Sequence, residues 1–134
     1  MKAWWMLLAV LPVGAVAAPA VQDFVPQGWK LTQQADGDLN GDGRADKVLV
    51  LQQQNAANWR DNEALGAPRL NLNPRTLLVL WNTPQGYREA VRNTTLLPSE
   101  NSEDTPCLVD PLDERGISIR KQVLVVELHY WLSC

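Results

Sequence analysis

One nine-residue stretch has the residue types and spacing to do chemistry. From Asp38 the chain reads Asp38-Leu39-Asn40-Gly41-Asp42-Gly43-Arg44-Ala45-Asp46, a D-x-N-x-D-G-x-x-D pattern. Oxygen-bearing side chains at alternate positions aim at a common point, Gly43 permits a sharp turn, and the Arg44 carbonyl falls at position 7, where such loops use a main-chain oxygen. Asp46, at position 9, would bind directly or through a water. Three carboxylates this close repel one another, by about 1 kcal/mol per pair at 4 Å in water, and a divalent cation removes that cost. Calcium suits the set better than magnesium, because it accepts irregular six- to eight-fold oxygen coordination. The expected metal ligands are therefore Asp38, Asn40, Asp42, Arg44 and Asp46. Asp, Asn and Gly also favour plain solvated turns, but turn composition alone seldom reproduces the alternation and the glycine together. Asp36 lies just outside the pattern and reads either as a support behind the ligands or as plain surface.

The loop departs from an EF-hand at two points. Position 12 is Leu49 where an EF-hand has a bidentate Glu, and the next residues, Lys47 to Leu51, are β-branched-rich and apolar on both parities. Such a run is a strand covered on both faces. Thr76 to Trp81 is a second doubly apolar strand. Asn82-Thr83-Pro84-Gln85-Gly86 then supplies turn residues at hairpin length before a weaker strand from Tyr87 to Asn93. Trp29 to Thr32 is a short extended segment. Gln52 to Arg75 is polar and holds Gly66, Pro68 and Pro74, so it reads as a long irregular connection with a helical turn around Asn58 to Leu65. Pro98 to Asp113, rich in acidic residues, Ser and Pro, reads as a solvated loop.

Gly116 to Arg120 alternates, with Ile117 and Ile119 inward. Val123 to Leu132 is long enough for a full strand whose even positions, Leu124 to Leu132, are core-like. Its odd positions include Glu127 and His129, so one face is wet or lines a groove. The fold class expected is mostly all-β, about six short antiparallel strands with the calcium loop leading into a central one. The Asp-rich loop occurs once, which excludes a self-contained propeller.

Residues 1–17 begin with Lys2, continue as an apolar run broken by Pro12 and Gly14, and end in small residues. This is the pattern of a secretory signal peptide, and the run is shorter than a membrane span needs. Cleavage after Ala17 leaves residues 18–134 as a single β-rich calcium-loop domain, periplasmic or secreted and without a membrane anchor. An alternative cut lies before Val21. Export also allows a disulfide between Cys107 and Cys134, the only two cysteines. It would close a loop worth about 3 kcal/mol in the chain-entropy model.

With 12 Lys+Arg, 15 Asp+Glu and a formal charge of −3, the chain has no basic stripe for a phosphate backbone, which excludes nucleic acid as a partner. A single His excludes His-pair acid/base chemistry, and no Ser, Cys or Lys sits in a nucleophile motif. His129, Glu127 and Trp131 share one strand face and could line a groove, although alternation predicts a solvent-facing side there regardless of function. Trp59, in a polar connection beside Arg60 and Asp61, is the best candidate for an exposed recognition aromatic.

The runs GDLNGDGRADKVLVL, NPRTLLVLW and GISIRKQVLVVELHYWLSC resemble a family of small exported bacterial proteins that carry a single FG-GAP/VCBS-like calcium loop. The likeness spans roughly Gly28 to Cys134, with its specific core at Gly37 to Leu51. It implies an integrin-type DxNxDG loop leading into an apolar strand, with Asp38, Asn40, Asp42, the Arg44 carbonyl and Asp46 as calcium ligands. Relatives of this kind continue into further strands, so the resemblance implies a C-terminal strand whose outer edge lacks a partner, as in a truncated domain.

The function expected is an exported calcium-binding β-domain without catalytic residues, its metal structural. The competing reading is an interaction protein, such as an inhibitor or immunity-type binder of another exported protein. A calcium-dependent hydrolase is the weakest reading, because only distant groups, Glu127 and His129, could join the loop.

Overall fold

The computed structural model describes residues 18–134. The expected signal peptide, residues 1–17, lies outside the described residues. Eight strands follow a short 3-10 turn at Val21–Phe24: β1 (Trp29–Gly37), β2 (Asp46–Gln53), β3 (Trp59–Asp61), β4 (Arg69–Asn71), β5 (Arg75–Thr83), β6 (Gly86–Asn93), β7 (Ile117–Arg120) and β8 (Val123–Val126). A four-stranded antiparallel sheet in the order β1-β2-β5-β6 forms the centre, with β3-β4 and β7-β8 as separate hairpins. The mostly-β fold therefore stands, and the connection between β2 and β5 holds the two strands that sequence patterning missed. Among the described residues no helix is long and apolar enough to cross a membrane.

The two central strands are buried on both faces, as their unbroken apolar runs require. On one face Val48, Val50, Leu77 and Val79 pack under Leu97, Leu112 and Ile117, with Leu124, Val126 and Leu128 added from the β7-β8 side. On the other, Leu49, Leu51, Leu78 and Leu80 are covered by Val21, Phe24, Trp29, Leu31 and Tyr87. The β7-β8 hairpin sits close against β1: a Cβ built on Gly37 would lie 2.7 Å from the Ile119 side chain.

The connection Gln52 to Arg75 is not helical at Asn58 to Leu65. A 3-10 turn comes earlier, at Ala56–Asn58, and Trp59 opens a strand in which Trp59 pairs with Asn71 and Asp61 with Arg69. The segment substitutes carboxamides for a longer ladder. The buried Asn73 accepts from the Asn55 N–H at 2.9 Å and the Asn58 side chain at 3.2 Å, and donates to Asn71 at 2.8 Å. These bonds satisfy polar groups that would otherwise be costly to bury.

Pro98 to Asp113 is only partly a solvated loop. Pro111 and Leu112 are buried, and residues 107–111 run antiparallel to residues 129–133. Val109 N–H donates to the Trp131 carbonyl at 3.0 Å, His129 N–H to Pro111 at 2.9 Å and Ser133 N–H to Cys107 at 2.9 Å. The Cys107–Cys134 disulfide closes the far end of this ribbon. The expected strand Val123 to Leu132 thus divides its pairing. Up to Glu127, whose N–H donates to Gly116 at 2.7 Å, it pairs with β7, and from His129 onward it pairs with residues 107–111. Leu112 to Arg115 loop out of the partner side between the two.

Candidate metal centre

The Asp-rich loop joins β1 to β2, and the antiparallel register brings its ends together: Gly37 lies opposite Asp46 and Asp36 opposite Lys47. Within the loop the backbone turns twice through left-handed conformations, at Gly41 (φ 78°) and Gly43 (φ 81°), which a side chain would strain. These turns direct main-chain N–H groups inward. Gly41 donates to Asp38 Oδ1 at 2.8 Å and Gly43 to Asp38 Oδ2 at 2.9 Å. The Gly43 bond, seconded by the other loop N–H groups and opposed by desolvation, holds the Asp38 carboxyl below its ordinary range. The N–H of Arg44 donates to Asp42 Oδ1 at 2.8 Å, and that of Asp42 to Asn40 Oδ1 at 3.3 Å.

Asp46 differs from its neighbours. It is fully buried, and both its oxygens serve the scaffold: Oδ2 accepts from Leu39 N–H at 2.8 Å and Oδ1 from Asn82 N–H on β5 at 2.9 Å. The Asn82 side chain adds a bond to the Ala45 carbonyl at 3.1 Å. One carboxylate therefore fastens the loop to itself and to the neighbouring strand. Sequence reasoning placed Asp46 in the ligand set but had no signal for its role as a clasp, because Asn82 is distant in the chain.

The structure brings Asp38, Asp42 and Asp46 together, with one oxygen of each within 4.8 Å of the others. Three hard anionic oxygens at that separation form a donor set that could hold a divalent ion. Asn40 and Arg44 sit in the same loop, their described bonds running to Asp42. Asp36 is not part of the group. Burial opposes its ionisation, but hydrogen bonds from Lys47, at 2.7 Å, and Gln34 outweigh that and hold its carboxyl below the ordinary range.

The other candidates lie elsewhere. Glu127, His129 and Trp131 are exposed, and His129 Nδ1 is 3.3 Å from Asp113 Oδ2. They border shallow clefts around Asp113, on the outer face of the strand. Trp59 is 38% exposed, and the Arg69 guanidinium lies 5.5 Å from its ring centre, so part of its face is already occupied. Comparison of the chain with protein-family models, with curated proteins and with solved structures finds no match.

Proposed function

We propose that the chain is an exported calcium-binding β-domain of FG-GAP/VCBS-like type, in which the ion rigidifies the β1-β2 loop and takes no part in catalysis. The observation that carries this reading is the convergence of Asp38, Asp42 and Asp46 where the loop leads into a strand buried on both faces. The ion would be held by these three carboxylates, with Asn40 and the Arg44 carbonyl completing the set by their places in the loop. Bound there, calcium supplies electrostatic cross-linking: it neutralises the mutual repulsion of carboxylates that the backbone N–H groups offset only in part.

The Cys107–Cys134 disulfide supports an oxidising compartment, periplasmic or secreted, since such bonds rarely persist in a reducing one. The use of Asp46, whose Oδ1 already ties the loop to β5, supports a structural role, since an ion bound there would stiffen the sheet.

Thermal unfolding in calcium and in chelator tests the proposal. At calcium 100 times the dissociation constant, linkage adds about 2.7 kcal/mol, which raises the midpoint by roughly 10 °C in a domain of this size. Asp42→Ala should abolish the rise. A midpoint indifferent to calcium would reduce the loop to a hydrogen-bonded turn.

A further inference from the structure

We propose that the chain pairs with a second copy of itself through the outer edge of the strand from Val123 to Ser133, antiparallel and centred on Leu128. The strand's odd residues face its partners: Glu127, His129 and Ser133 donate inward, Trp131 accepts inward, and Val123 and Val125 lie opposite Arg120 and Ser118. In an antiparallel pair the residues between such bonded positions turn their N–H and C=O the other way. Leu124, Val126, Leu128, Tyr130 and Leu132 therefore direct their main-chain groups outward, and no partner for them exists among the described residues.

Apart from Glu127 and His129 this edge is undefended, unlike the two edges of the central sheet. The outer edge of β6 carries Arg88, Glu89 and Arg92, and β1 is interrupted by a bulge between Leu31 and Gln33 and carries Lys30 and Asp36. Charges and bulges are the usual means of blocking edge pairing, with proline and shortness. The segment Val123 to Ser133 has no bulge, proline or lysine. Among the described residues it also holds half of the exposed large apolar ones, Val123 (56%), Tyr130 (65%), Trp131 (60%) and Leu132 (56%).

Its sequence is complementary to itself in one register. Centred on Leu128, a two-fold antiparallel pairing sets Leu124 against Leu132, Val126 against Tyr130 and Leu128 against its own copy, each exchanging main-chain hydrogen bonds. On the opposite face Val125 meets Trp131, and Glu127 meets His129, a carboxylate against an imidazole. Slipping the centre to residue 127 places Glu127 against Glu127, and slipping it to residue 129 places His129 against His129. Like charges directly opposite are disfavoured, whereas aromatic-aliphatic pairs and a carboxylate accepting an imidazole N–H stabilise. The pairing joins two β7-β8 hairpins into one four-stranded sheet, and a second copy is the occupant that this symmetry and charge pattern select.

Analytical ultracentrifugation of the full chain, as exported and with its disulfide intact, tests this. The expected result is a dimer at roughly 100 µM that dissociates on dilution, as a small interface requires. Tyr130→Pro removes an outward N–H without touching an inward bond, and should give a monomer that keeps the wild-type far-ultraviolet circular dichroism spectrum and still unfolds cooperatively. His129→Glu should weaken the dimer about ten-fold, and Glu127→Lys added to it should restore association by re-pairing the charges. Because both of these variants lack the His129–Asp113 contact, its loss cannot account for the rescue. A wild-type monomer at that concentration, or a dimer that Tyr130→Pro leaves intact, overturns the proposal. A dimer indifferent to His129→Glu overturns the register.

Discussion

Asp46 Oδ1 accepts the main-chain N–H of Asn82 at 2.9 Å, which makes the last acidic residue of the loop a structural clasp between β2 and β5. Asp42, by contrast, is exposed and bonds only within the loop, to the Arg44 N–H. The two residues belong to one carboxylate cluster but carry different loads.

The variants should therefore separate in chelator. Asp46→Ala leaves no acceptor for two half-buried N–H groups, those of Leu39 and Asn82, and should cost about 1 to 3 kcal/mol with no metal present. Asp42→Ala should cost less than about 1 kcal/mol under the same conditions, as exposed substitutions do. Urea titration of both proteins checks this. Equal losses would show that Asp46 has no separate structural role.

Arg75 and Asp110 form a two-pronged ion pair, Nη1 to Oδ1 at 2.7 Å and Nη2 to Oδ2 at 2.6 Å, with the Arg75 side chain only 5% exposed. Nη1 also donates to the Pro98 carbonyl at 3.1 Å. Removing one partner of such a pair leaves a buried charge uncompensated. Asp110→Ala should destabilise by about 2 to 4 kcal/mol, discounted from the fully buried case because Asp110 is partly exposed. Arg75→Met with Asp110→Leu should recover part of the loss, measured by the same titration. A single variant as stable as wild type would contradict this account.

Reducing Cys107–Cys134 releases a loop with a sequence separation of 27 and frees the ribbon of residues 107–111 and 129–133. The chain-entropy model puts the loss at about 3 kcal/mol. The central sheet, whose core lies in β2 and β5, should retain its protection while the ribbon amides exchange faster. Hydrogen exchange with and without reductant measures both, and uniform loss of protection would show that the ribbon and the sheet unfold as one unit.

Glu89 and Arg92 pair on the exposed face of β6 at 2.8 Å, and the Arg92 hydrogen bond holds the Glu89 carboxyl below its ordinary range against a small desolvation. A lowered folded-state value contributes stability above the unfolded value and loses it as pH falls through the folded one. The contribution is under about 1 kcal/mol at so exposed a pair. It should be full at pH 6 and be lost as the pH falls through the lowered folded-state value. Glu89→Gln should flatten the stability profile over that range, and a profile unchanged by the substitution would remove the pair from the acid response.

Much of the fold was legible because its signals are local. Lys47 to Leu51 and Thr76 to Trp81 are apolar on both parities, which requires two covered faces, and the turn residues from Asn82 to Gly86 mark a hairpin. The alternation of Asp38, Asn40, Asp42 and Asp46 with the glycines defines the loop for the same reason. The short strands β3 and β4 were hidden because three-residue strands in a carboxamide-rich segment have no period to read, and their pairing is carried by Asn71 and Asn73. The break in the pairing of Val123 to Leu132 was hidden because nothing in that strand changes where its partner does.

The sequence by itself determined a mostly β chain, a carboxylate loop leading into its central strand, and two cysteines available to each other. These are properties of residue type and near-neighbour spacing, which backbone geometry converts directly into turns and strands. Only the tertiary structure decided that Asp46 clasps Asn82, that Arg75 finds Asp110, and that residues 107–111 lie against 129–133. Each joins residues far apart in the chain, and such pairs depend on how the strands close around one core, a property of the whole chain that no local pattern encodes.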